Sequence, residues 1–149
     1  MVFEPTGAPR DHATFLRWYH SQTKWDADEI YDDPDRSSPR LQAWLAEMFC
    51  IYPPMNGPGA ADELPEDESS LADYSIGEQI AHVCFAWSRA SGAYDDVFRL
   101  AEKYGLGFFN VSSDSSELWF PEGGGLKLVG QEKPILNRWL RRFLDAFRP

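Results

Sequence analysis

The sequence predicts a single α+β domain over residues 1–149, with a small mixed or antiparallel sheet of three to four short strands packed against about four helices. Three observations predict it. Apolar residues recur at helical spacing in several separate segments, compact β-branched and aromatic runs lie between those segments, and no repeat or shift in composition divides the chain. With 43% hydrophobic and 15% aromatic residues, the chain has the material for one core and is too apolar for general disorder.

The elements follow in order. "MVFEP" is a short apolar start that reads as an edge strand, closed by Pro5 and Gly7. Asp11 stands where a helix N-cap belongs, ahead of Phe15, Leu16 and Tyr19 at helical spacing. "DADEIYDDPDRSS" is polar and turn-rich, so it reads as a loop. In "SPRLQAWLAEMFCIY", Ser38 caps, Pro39 takes the first helical position and Leu41, Trp44, Leu45 and Met48 form the inward stripe. Pro53 and Pro54 end that helix, since neither donates to the helical ladder. A long acidic loop at about 53–77 follows, "PPMNGPGAADELPEDESSLADYSIG".

"QIAHVCFAWS" has the makeup of a buried strand. Ser88 then caps the helix "RASGAYDDVFRLAEKYG", which Gly105 closes. "GFFNVS" and "ELWFP" read as two further strands, with "SDSS" and "PEGGG" as turns. Pro134 opens a last helix carrying Ile135, Leu136, Trp139, Leu140, Phe143 and Phe147 on one side. A strand, helix, strand unit crosses over right-handed, which lays the central helix on one face of the sheet.

Charge narrows the function. The formal net charge is −10. Phosphate binding needs clustered Lys and Arg, so direct contact with nucleic acid is disfavoured, and so is attraction to anionic lipid. Basic proteins and cations are the favoured partners. Between Asp26 and Ser88 there are fourteen acidic residues against two basic ones. Two segments carry most of them: Asp28, Glu29, Asp32 and Asp33 around Tyr31, and Asp62, Glu63, Glu66, Asp67, Glu68 and Asp73 ahead of Tyr74. Tyrosine set among carboxylates is a common interface composition, and a loop of roughly 25 residues inside a small domain is usually functional or disordered. The arginines of the last helix read as a solvated face.

No catalytic signature emerges. His12 and His20 are eight residues apart, which turns them some 80° from each other on a helix and grips no single metal. His82 and Cys84 share a strand face, but two ligands do not make a metal centre. "DADEIYDDPDRS" lacks the glycine and glutamate of a calcium loop, with Tyr31 and Ser37 in their places. No nucleophile elbow, phosphate loop or dinucleotide fingerprint is present. No cofactor is expected. Cys50 and Cys84 lie in apolar sequence and read as buried free thiols in a reducing compartment. "MVFEPTGAPRDHATF" lacks the features of a signal peptide, and no apolar run is long enough to span a bilayer, so a cytoplasmic protein is expected.

Taken together, "APRDHATFLRWY", "YPPMNGP", "DYSIG" and "FAWSRASGAYDDVFRLAEKYGLGFFNVSSD" resemble a group of small bacterial immunity proteins encoded beside secreted interbacterial (polymorphic or type VI) toxins. The resemblance runs to about Pro121, and "YPPMNGP" followed by "DYSIG" is its most specific part. It implies a binder that neutralises a cognate toxin and names no active site. Together with the charge, it sets the expectation of a basic toxin domain acting on nucleic acid or nucleotides as partner. Asp62, Glu63, Glu66, Asp67 and Glu68 are expected to supply charge, with Tyr31 and Tyr74 as anchors. The alternative is a small carboxylate-dependent hydrolase or a small-ligand-binding protein, since two acids distant in sequence can meet in a cleft.

Overall fold

Two of the three α-helices among the described residues of the computed structural model begin at a short polar side chain that satisfies an amide the helix leaves without a partner. The structure describes residues 1–24, 31–60 and 65–131. Asp11 accepts from the Thr14 amide at 2.9 Å and opens α1, His12–Gln22. Ser38 accepts from the Leu41 amide and opens α2, Pro39–Ile51, whose Leu41, Trp44, Leu45 and Met48 are fully buried. Helix α3, Ala90–Tyr104, ends at Gly105 in the left-handed region, φ 63°. Its start differs from expectation. A 3₁₀ turn, Trp87–Arg89, runs straight into it, and Ser88 makes no capping bond because the backbone is already helical at Arg89.

The strands are β1 Val2–Phe3, β2 Ala72–Ile76, β3 Ile80–Phe85, β4 Gly107–Phe109, β5 Leu118–Glu122 and β6 Gly125–Gly130. They form one six-stranded sheet in the order β2-β3-β1-β4-β5-β6, antiparallel at every pairing. This corrects the expected three to four strands and about four helices: there are six strands, and three α-helices among the described residues. Two strands were hidden. "ADYSI" looked like the end of a loop but pairs along its full length with β3. "GLKLVG", to which the sequence reading assigned no strand, returns as a hairpin onto β5. The helix expected from Pro134 lies outside the described residues.

The first strand is also not at an edge. Val2 stands opposite Ala81 on one side and Phe108 on the other, which puts β1 in the middle of the sheet. Because β3 and β4 are both antiparallel to β1, they run parallel to each other. The expected strand, helix, strand crossover is therefore present as β3–α3–β4, with β1 held between its two strands.

Alternation along the strands builds two cores. Val2, Ala72, Tyr74, Ile76, Ala81 and Phe108 face α2 and α3. Met1, Phe3, Ile80, Phe109, Leu118 and Phe120 face the other way and pack with Phe15 of α1. The half-exposed Arg40 and the buried Glu4 tie these layers together. The Glu4 carboxylate accepts from Ser38 Oγ and from the Arg40 guanidinium, which also donates to the Gly105 carbonyl at 3.3 Å. The start of α2, the end of α3 and the end of β1 are thus joined at one point.

Candidate functional site

The acidic loop is fastened at both ends to the same residue. Ala72 N–H donates to the Pro53 carbonyl at 3.0 Å, and Met55 N–H donates to the Ala72 carbonyl at 2.9 Å. Residues 53–55 therefore run alongside the start of β2, and the chain between leaves and returns at one place. Its first half folds back on the domain. A Cβ at Gly59 would lie 2.8 Å from the Phe49 ring, and one at Gly57, where φ is +84°, would lie 3.0 Å from Asp32 Cβ. Glycine is needed at Gly57 for the turn itself.

The second half is ordered by Asp67. Its carboxylate accepts from the Ser69 amide at 3.0 Å and from Ser69 Oγ at 2.6 Å, opening the 3₁₀ turn Glu68–Ser70. It also pairs with Arg89, which donates to Ser69 Oγ at 3.1 Å. The bonds from Ser69 first, then Arg89, hold the Asp67 carboxyl below the usual carboxylate range. Glu66 and Glu68 flank it and are exposed.

The other expected residues divide by position. Tyr31 is 43% exposed, and its carbonyl accepts from the Ile76 amide at the far end of β2. Asp33 opens the 3₁₀ turn Pro34–Arg36 by accepting from the Asp35 amide at 3.0 Å. Asp32 lies against Gly57. Asp73 is exposed as the second residue of β2, opposite Cys84. Among the described residues these acids do not gather in one cluster. They lie toward the two ends of an edge strand about 13 Å long at ~3.4 Å per residue. Asp28, Glu29, Asp62 and Glu63 lie outside the described residues.

Tyr74 is a correction. It is a core residue, 6% exposed, with its ring edge-on to Phe49 and its hydroxyl donating to the Tyr52 carbonyl at 2.7 Å. Burial pushes its hydroxyl pKa up. It offers no anchor at the surface. Tyr74→Phe should cost about 1 kcal/mol of folding stability by deleting that buried hydrogen bond, read as a lower urea midpoint at unchanged slope.

The most exposed large aromatic among the described residues is instead Trp87, which the sequence placed in a buried run. It is 92% exposed, because β3 ends at Phe85 and the chain turns outward at the 3₁₀ turn. Trp87 stands on the rim of a cavity of about 350 Å³ between the ends of β3 and β4. Ala93, Tyr94 and Val97 of α3 form its floor, and Phe85, Phe108 and Val111 its walls. Arg89 connects this rim to Asp67, so the acidic turn and the tryptophan are two sides of one surface.

His82 and Cys84 open on the same rim. They share a strand face as expected, with Sγ and Nδ1 3.8 Å apart. Both cysteines are free and exposed rather than buried: Cys50 lies off the buried stripe of α2, and Cys84 is on the face of β3 that α2 and α3 do not cover. Among the described residues, no three His, Cys, Asp or Glu side chains are grouped to hold a metal ion. Burial, and next the ammonium group of Met1, push the His82 pKa down to about 4. A group whose pKa is lowered on folding contributes stability that is complete above its unfolded pKa, near 6.5, and is lost as pH falls through about 4. Wild-type protein should therefore lose roughly 2 kcal/mol between pH 7 and pH 4, a figure reduced for partial exposure. His82→Gln should flatten the urea-midpoint profile in that window. It should leave the loss at lower pH, where the carboxyls held low at Asp11, Glu47 and Glu122 titrate.

Comparison with protein families, with curated proteins and with solved structures finds no match to this chain. No helix among the described residues is long and apolar enough to cross a membrane.

Proposed function

We propose that the protein is an immunity protein: it binds a basic bacterial toxin domain that acts on nucleic acid or nucleotides, and neutralises it in the cytoplasm by covering the toxin's cleft. One observation carries the reading. A nearly fully exposed tryptophan is set beside an acidic turn that is fastened to the body of the domain on both sides. Exposing an indole to water opposes the hydrophobic effect, and tryptophan is among the residues that most often dominate binding energy. Carboxylates around such an anchor speed encounter with a cationic surface and disfavour an anionic one. The resemblance to toxin-linked immunity proteins points the same way. The alternative, a small carboxylate-dependent hydrolase or a small-ligand-binding protein, has less support: the cavity beside Trp87 has no carboxylate in its lining, and the clefts that do hold two acids use Glu4 to bind Ser38 and Arg40 and Asp33 to open a 3₁₀ turn.

The test is affinity capture from the native host, followed by expression of the captured protein in a sensitive cell. A stoichiometric complex with a basic toxin domain, and growth restored by co-expression, is the expected result. Recovery of no partner, together with turnover of a small substrate, overturns the reading.

A further inference from the structure

From Leu41 to Ser88 the sequence holds no Lys or Arg, so Arg89 is the first of either after the whole acidic loop. It closes the 3₁₀ turn that carries the exposed Trp87, and its guanidinium is spent on a single turn of that loop. Nε donates to Ser69 Oγ at 3.1 Å, and Nη2 pairs with Asp67 Oδ2. Asp67 Oδ1 accepts from the Ser69 amide and hydroxyl, so both carboxylate oxygens are engaged. The same cation acts on the residue where the loop begins. Tyr52 caps the C-terminus of α2 just before Pro53; its hydroxyl donates to Asp96 at 3.2 Å and its carbonyl accepts from the Tyr74 hydroxyl. Burial, then Asp96, push the Tyr52 hydroxyl pKa up, and the Arg89 charge opposes them. Arg89 therefore stands among three features: the residue from which the loop departs, the turn through which it returns, and the turn that carries the tryptophan.

Charge alone gives no reason for an arginine here. An exposed ion pair contributes little to stability, and a positive charge on a surface that meets a basic partner slows encounter. Geometry does give a reason. A planar fork that holds a carboxylate and a hydroxyl at two points fixes one turn against another, which the single rotatable ammonium of lysine does not do. Because Asp67 and Arg89 cancel, the steering charge is left to Glu66 and Glu68, exposed on either side of Asp67.

We infer that Arg89 is a positioning residue of the binding surface: it holds the acidic turn Glu68–Ser70 and the Trp87 turn in one fixed relation, so that Glu66, Glu68 and Trp87 meet the partner together. Ordering these groups in advance removes the cost of arranging them at the moment of binding, and the gain falls mainly on dissociation. The interface that Arg89 serves rests on the functional reading above; the clasp itself rests on its bonds to Asp67 and Ser69.

The test compares Arg89→Met and Arg89→Lys with wild type, each as the full chain, first free and then bound to the captured toxin domain. In the free protein, NMR-detected amide exchange is expected to quicken about fivefold at Ser70 and Leu71, whose N–H groups close the turn onto Asp67 and Glu68. It should stay unchanged at Ile76, which the Tyr31 carbonyl holds at the far end of β2. Arg89→Met makes the surface more negative, so a residue acting by charge alone would bind the basic partner more tightly once removed. Loss of a positioning residue is instead expected to speed dissociation about fivefold. Arg89→Lys keeps the charge and loses the fork, and should dissociate like Arg89→Met. Wild-type exchange at Ser70 and Leu71, equal quickening at Ile76, tighter binding by Arg89→Met, or wild-type dissociation of Arg89→Lys overturns the proposal. The two readings fail separately. A toxin complex that leaves Arg89→Met at the wild-type rate removes the positioning role and keeps the immunity function. Quickened exchange at Ser70 and Leu71 in a protein that protects no cell from a toxin removes the immunity function and keeps the clasp.

Discussion

Gly107→Ala is expected to destabilise the fold by about 3 kcal/mol, lowering the thermal midpoint by roughly 10 °C. Gly107 stands directly opposite Phe3 across β1 and β4, and the Phe3 ring lies over it. A Cβ there would come within 2.6 Å of Phe3 Cε1 and closer still to Cζ. The ring has nowhere to go. It is fully buried, with the Phe15 and Phe120 rings at 4.9 and 5.1 Å between centroids and Trp18 at 5.9 Å. Relief requires moving either the central strand or the aromatic cluster under α1. Gly92→Ala is the control. It lies in α3, where the added methyl meets only the Tyr52 hydroxyl at an ordinary 3.8 Å, so the alanine should raise stability by about 0.5 kcal/mol. Urea unfolding followed by circular dichroism reads both. A loss under 1 kcal/mol for Gly107→Ala would show that the ring is free to shift.

The largest functional effect is expected at Trp87. Trp87→Ala removes a side chain that is 92% exposed and should leave the urea midpoint within about 0.5 kcal/mol of wild type. Affinity for the captured toxin domain should nevertheless fall about a hundredfold, mostly through faster dissociation, since an aromatic anchor acts after encounter. Surface plasmon resonance separates the two rates. A variant with both wild-type stability and wild-type dissociation would take the tryptophan out of the interface.

How much of this was legible in the sequence depends on whether the signal was local. Asp11, Ser38, Pro39 and Gly105 act on their own helix ends, and the ends they predict are the ones observed. The stripe from Leu41 to Met48 is likewise read from its spacing alone. The place of β1 was not legible, because its partners at residues 80–81 and 107–108 are far along the chain and two residues carry no periodicity. β6 carries Lys127 and stays half-exposed, so its composition does not separate it from the glycine turn. The candidate site divides in the same way. That Asp67 belongs to an acidic loop was legible, but not that it opens a 3₁₀ turn, and the exposure of Trp87 and Cys84 depends on where β3 ends and on how far the neighbouring helices reach. Tyr74 was misplaced because a tyrosine among acids reads as surface, while strand alternation turns it inward between Ala72 and Ile76.

The central claim is that the acidic surface recruits a basic partner. It is tested most directly by the association rate of the toxin complex, measured against salt for wild type and for the double variant Glu66→Lys, Glu68→Lys. Both side chains are exposed, so the fold should be unaffected. The account predicts that wild-type association slows about tenfold between low and high ionic strength, and that the double variant starts at least tenfold slower and is nearly salt-independent. Equal rates and equal salt dependence for the two proteins would contradict it.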